Sequence, residues 1–153
     1  LQVAGRAGRA DRPGEVLIQT SYPEHPLLQD LISDGYEAFA DAALAQRQAS
    51  GWPPFSHLAL VRAEAHKPGG ALSFLQACRD WGRTFAGPGV RLLGPAPAPM
   101  ERRSGRYRAQ LLLQAEHRPT LHRLLDQLLA KIEGSKQARQ VRWSLDVDPV
   151  ELF

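Results

Sequence analysis

Cysteine, methionine, lysine and long apolar runs are all scarce in this chain of 153 residues. The single cysteine, Cys78, excludes an intrachain disulfide and a multi-cysteine zinc site built from these residues alone. It fits a reducing compartment, so the expected location is the cytoplasm. No apolar run approaches the ~20 residues that a membrane-spanning helix needs, and no signal-peptide pattern is visible; no membrane partner is expected. Neither a G-x-x-x-x-G-K-[ST] phosphate loop nor a D-E-x-H box occurs, so these residues alone are expected to be inactive as an ATP hydrolase. The 5 histidines lack the spacing of helical ligand pairs, and no metal is assigned. Asp146 and Asp148 share a strand face without a histidine partner, and are expected to pair with Arg142 or to cap the turn before Pro149.

What is present is an ordinary globular composition, 43% hydrophobic and 23% charged, with a net charge of +3. The basic residues are overwhelmingly arginine: only Lys67, Lys131 and Lys136 are lysines among 19. Guanidinium forks grip phosphate oxygens in bidentate fashion, so the places where arginines cluster are the places to look for chemistry. The first is Gln2-x-x-Gly5-Arg6-x-Gly8-Arg9. Its glycines permit a tight turn around a phosphate, and its arginines suit the charge that develops as a terminal phosphate leaves. The second is Arg102-Arg103-Ser104-Gly105-Arg106-Tyr107-Arg108. Here the arginines would meet nucleic-acid phosphates and Tyr107 could stack a base, unless strand alternation turns it into the core. The third is the pair Arg118 and His122, one turn apart near a helix start, where the dipole favours an anion.

The periodicities divide the chain into three. Residues 1–20 carry the arginine motif, a turn at Arg12-Pro13-Gly14 and a short apolar run, 15–20, that reads as a buried strand but has no sheet to join within these residues, so that a frayed or wrongly paired segment is expected. Residues 21–54 read as a helical linker: a helix opening at His25-Pro26, then a helix from about Asp34 to Gln48 with Tyr36 and Phe39 in its packed face, ended by Ser50-Gly51. Residues 55–153 read as one α+β domain. A strand over 55–66 is followed by a helix over 71–85, whose apolar face would use Leu72, Leu75, Ala77 or Cys78, and Trp81 or Phe85. Val90–Leu93 is a second strand, leading into Gly94-Pro95-Ala96-Pro97-Ala98-Pro99, expected as an extended edge or a polyproline-like segment. A strand over 106–114, a helix over 118–132 capped by Thr120 or Glu116, and an alternating strand over 141–148 complete the order β-α-β-β-α-β. This is a split, ferredoxin-like sandwich: two helices on one face of a four-stranded antiparallel sheet.

Several strings also carry a resemblance. Q-x-x-G-R-x-G-R resembles the last motif of superfamily 2 nucleic-acid helicases. With G-W-P-P-F at 51–55, G-P-A-P-A-P at 94–99 and W-S-L-D-V-D-P at 143–149, the chain resembles the C-terminal part of the primosomal protein N-prime (PriA) family of bacterial replication-restart DNA helicases. The chain begins inside a motif, so it is expected to be a piece of a longer protein. The resemblance implies that residues 1–20 are the tail of a RecA-like helicase lobe and that residues 55–153 form a DNA- and partner-binding domain similar to ribosomal protein S10. It implies roles for Arg9 as the finger on the terminal phosphate, for Arg6 beside it, and for Gln2, Gly5 and Gly8 around the nucleotide. It implies ATP with magnesium, zinc bound upstream by cysteines, forked and single-stranded DNA, primosome proteins, and single-stranded DNA-binding protein, whose acidic tail would dock at Arg118 and His122. The alternative is a stand-alone nucleic-acid-binding α+β module without a motor.

Overall fold

The computed structural model describes residues 8, 9, 12, 13, 16–150 and 152. The chain forms two compact units, residues 1–45 and 46–153.

In the first unit, β1 (Gly8–Arg9) pairs antiparallel with β2 (Arg12–Pro13). Helix α1 (Pro26–Ser33) opens with proline in its first turn, and α2 (Gly35–Ser50) follows and runs on into the second unit. Neither helix contains a fully buried residue. Tyr36 is exposed, and its ring lies 6.4 Å from the half-buried ring of Phe39. The expectation of Tyr36 in packed core is therefore corrected. Residues 16–20, read as a strand whose sheet lies outside these residues, are irregular, Leu17 is 87% exposed, and no described strand pairs with them.

The second unit holds the sheet. After Gly51, whose positive φ closes α2, come β3 (His57–Ala65), α3 (Gly70–Phe85), β4 (Val90–Arg103), β5 (Arg106–Ala115), α4 (Arg118–Glu133), a 3-10 turn (Ala138–Gln140) and β6 (Arg142–Val147). The strands lie in the order β4-β5-β3-β6, all antiparallel. The α+β split β-α-β sandwich read from the pattern is the fold.

One face of the sheet is covered by α3 and α4. Ala59, Val61, Ala63 and Ala65 of β3 and Ala109, Leu111, Leu113 and Ala115 of β5 alternate inward, against Phe74, Leu75 and Cys78 of α3 and Leu121, Leu124, Leu125, Leu128 and Ile132 of α4. Alanines at five of these eight strand positions leave room for the leucines of the helices to fill. Val141, Trp143 and Leu145 extend the same layer from β6. The helix faces differ slightly from expectation. Phe74 and Cys78 are buried in α3, with Leu72, Trp81 and Phe85 at the margin. In α4, Ile132 is buried while Leu129 is only half-buried. Neither Thr120 nor Glu116 caps α4: His117 holds the N-cap position without a side-chain bond, and Pro119 in the first turn limits the exposed donors.

β4 continues through 94–99, the segment expected as an extended edge or polyproline-like, and on to Arg103. It bends at two irregularities, between Leu93 and Ala96 and between Pro97 and Arg102. It is an edge strand, so a proline can turn its missing donor away from the ladder. Gly94 is required at the first bend: its φ is +104°, and a Cβ there would stand 3.1 Å from the amide nitrogen of Ala96 and 3.2 Å from the Gln110 carbonyl. Arg79 of α3 donates to the Gly94 carbonyl at 3.0 Å, pinning the bend.

Candidate nucleic-acid interface

The second arginine cluster is a hairpin. Arg103 and Arg106 are cross-strand partners joined by Ser104-Gly105, both at positive φ, the two-residue primed turn that matches strand twist. Side chains alternate across a strand, and this divides the cluster in two. Arg106 and Arg108 project to the face opposite the helices, and Arg103, paired with Arg106, stands on the same side. Tyr107 follows Ala109 and Leu111 to the helix side, where it is half-buried. Arg102, opposite Tyr107, lays its guanidinium over that ring at 5.5 Å from the centroid, a cation–π contact.

The open face has residues from three further positions that motif reading did not gather. Glu64 of β3 is the cross-strand partner of both Arg108 on β5 and Arg142 on β6. One step along, Arg62 is opposite both Gln110 and Ser144. These side chains, with Ala98 of β4, line a cleft of about 260 Å³. Arg108 Nε sits 3.3 Å from Glu64 Oε1, and Arg62 donates to Asp146 Oδ2 at 2.9 Å. Arg103, Arg106 and Arg142 have no ion pair among the described residues. The only sequence signal for Arg62 and Arg142 was strand alternation; their adjacency to the hairpin follows from strand order.

The opposite end of the same face is closed. Leu58 and Leu60 are buried. Gln114 donates from Nε2 to the Gly51 carbonyl and to Ser56 Oγ, tying the 51–56 turn over the strand end.

The third pair lies elsewhere in this unit. Arg118, at the first position of α4, is ion-paired to the Asp148 carboxylate, and His122 is exposed one turn on. Asp146 and Asp148 thus pair with Arg62 and Arg118, and not with Arg142 as expected from their neighbourhood in sequence. Among the described residues no three His, Cys, Asp or Glu side chains converge as metal ligands would, and no helix is long and apolar enough to cross a membrane. Of the first cluster, Gln2, Gly5 and Arg6 fall outside the described residues, and Gly8 and Arg9 are described as backbone only.

A split β-α-β domain presenting a basic, open sheet face is the class these features define. Comparison with known proteins places it further. The family model described as the primosomal protein N C-terminal domain matches residues 48–150, and the chain belongs to that family. It is similar to the replication restart protein PriA of Haemophilus influenzae, 45% identical over 153 residues, which cover 99% of this chain and 20% of that protein. The protein of the same name from Synechocystis is 33% identical over 99% of the chain and 18% of its own length. That from Bacillus subtilis is 31% identical over 97% of the chain and 18% of its own length. The chain thus spans about a fifth of the length of these relatives.

Proposed function

We propose that this chain is the C-terminal part of an ATP-dependent 3′–5′ DNA helicase of replication restart, and that residues 55–153 bind branched and single-stranded DNA at stalled forks. The observation that carries the reading is the hairpin: Arg103 and Arg106 stand side by side at its tip without an ion pair among the described residues. Such arginines contribute counterion release, which makes affinity fall with salt. Residues 1–20 close the second motor lobe, with Arg9 and Arg6 on the nucleotide phosphates and Gln2, Gly5 and Gly8 around it. Residues 21–54 link the lobe to the domain. ATP with magnesium, and zinc held by upstream cysteines, belong to the intact enzyme. Arg118 and His122 take the acidic tail of single-stranded DNA-binding protein; Asp148 already offers Arg118 a carboxylate, which the tail would replace.

The test is a salt titration of binding to a forked DNA with a single-stranded arm. Changing Arg103 and Arg106 together to Ala is expected to lower the log–log slope by about 1.4, at roughly 0.7 per phosphate contact on a single strand. An unchanged slope would remove the hairpin from the DNA interface.

A further inference from the structure

We infer that the cleft across β5, β3 and β6 continues the hairpin arginines as a phosphate track for single-stranded DNA, and that Glu64 is a built-in counterion which the DNA phosphate displaces. The inference rests on the DNA-binding reading above and extends it to residues which that reading does not use. Three observations carry it.

The first is alignment. Adjacent strands lie about 4.8 Å apart, so the cross-strand row Arg108–Glu64–Arg142 spans three strands at a regular spacing. Arg103 and Arg106 extend it at the hairpin end. A row whose arginines end at the β6 edge on Arg142, which has no ion pair among the described residues, suits a repeating anion better than a single carboxylate.

The second is size and lining. At about 260 Å³ the cleft is smaller than the roughly 300–1,000 Å³ of small-molecule sites. It offers Arg62, Arg108 and Arg142 as charges, with Gln110 and Ser144 as neutral hydrogen-bonding groups, the mixture used for phosphate and sugar. No aromatic side chain projects from the open face of these strands: Tyr107 and Trp143 both alternate to the helix side. Bases therefore have no stacking platform here, and the contacts are to the backbone and independent of sequence.

The third is Glu64 itself. It stands between two arginines yet holds only Arg108, with both side chains a quarter to a third exposed (25% and 31%). An ion pair at this partial exposure is still reached by solvent and weakened by salt, so a phosphate can take the carboxylate's place on Arg108 while Arg142 receives the next contact. The acid lowers affinity for DNA, keeping binding reversible.

The experiment measures binding of labelled oligothymidylate and oligodeoxyadenylate to the whole chain as a function of salt, for the parent, Arg142→Ala, Glu64→Gln and Arg103→Ala/Arg106→Ala. Arg142→Ala is expected to lower the slope by about 0.7. Glu64→Gln is expected to tighten binding by about two- to five-fold, the fold-change that a solvent-screened ion pair represents. Both oligonucleotides should report the same changes. If Arg142→Ala and Glu64→Gln match the parent while the hairpin variant weakens, the track is overturned and the DNA-binding reading stands. If Glu64→Gln weakens binding, Glu64 supports the site and is no competitor, and the counterion role is overturned. If the parent binds neither oligonucleotide at low salt, both readings fall. Urea midpoints of the variants, expected to match the parent, separate these outcomes from misfolding.

Discussion

The two faces of the sheet are made from the same strands, yet they obey different rules. On the helix side, β3 and β5 present alanine, valine and leucine, and every one of those residues is buried. On the other side the halves of the same strands nearest the β4–β5 hairpin present Arg62, Glu64, Arg106, Arg108 and Gln110, none of them fully buried, while Leu58, Leu60 and Gln114 are buried at the far end. A strand's period of two lets one segment serve both purposes. The covered face specifies the fold, because a slip of one residue would place Arg62 and Arg108 against α3 and α4. The open face is then free to vary in charge without unfolding the domain.

Substitutions in the covered face should do the most damage. Leu111→Ala is expected to lower stability by about 2–5 kcal/mol, the range for a fully buried leucine in a packed core, as read from the urea midpoint at constant m-value. A loss under 1 kcal/mol would mean that the helix layer is loosely packed and the contrast between faces overstated. Gly94→Ala comes next, at about 1–3 kcal/mol, because alanine would carry the strained positive φ and crowd backbone on both strands.

Cys78 sharpens the comparison through pH. It has no exposed surface, and burial pushes its thiol up from 9.0 to about 12. The unfolded chain therefore loses this proton at lower pH than the folded one. The contribution to stability is fully present below pH 9 and falls away as pH rises towards 12. Cys78→Ala should flatten that part of the stability–pH profile, measured by urea titration across the window. In the parent, the thiol should resist alkylating reagents at neutral pH until the domain unfolds.

The smallest effect is expected on the open face. Asp146→Asn removes one ion-pair partner of Arg62, in a pair with both side chains substantially solvated, and should cost less than about 1 kcal/mol by thermal or urea unfolding. A larger loss would show that the open face also holds the fold together.

Much of this was legible in the sequence, and the parts that were not share a cause. Periods of two and 3.6 placed the strands and helices of the split sandwich, because α3 and α4 are amphipathic and β3 and β5 alternate in the halves nearest the β4–β5 hairpin. The pattern left the 94–99 segment as either an extended edge or a polyproline-like stretch, and the further run of β4 to Arg103 was not legible. Whether a proline interrupts a strand depends on which side its missing donor faces, and only strand order made β4 an edge. The same holds for the site. The hairpin arginines form a local string, whereas Arg62 and Arg142 join them only because β3 lies between β5 and β6. Asp146 and Asp148 illustrate the converse. Reading along the chain suggested Arg142 as their partner, but neighbouring strands and α4 supplied Arg62 and Arg118.

The most direct test of this division of labour is the salt dependence of single-stranded DNA binding by a chain with Arg103, Arg106, Arg108 and Arg142 all changed to Ala. The expected result is a slope lower by about 2.8, at roughly 0.7 per contact, in a protein whose urea midpoint stays close to the parent's. A parent-like slope in the folded variant would contradict the account, because DNA would then be held by some surface other than the open face of the sheet.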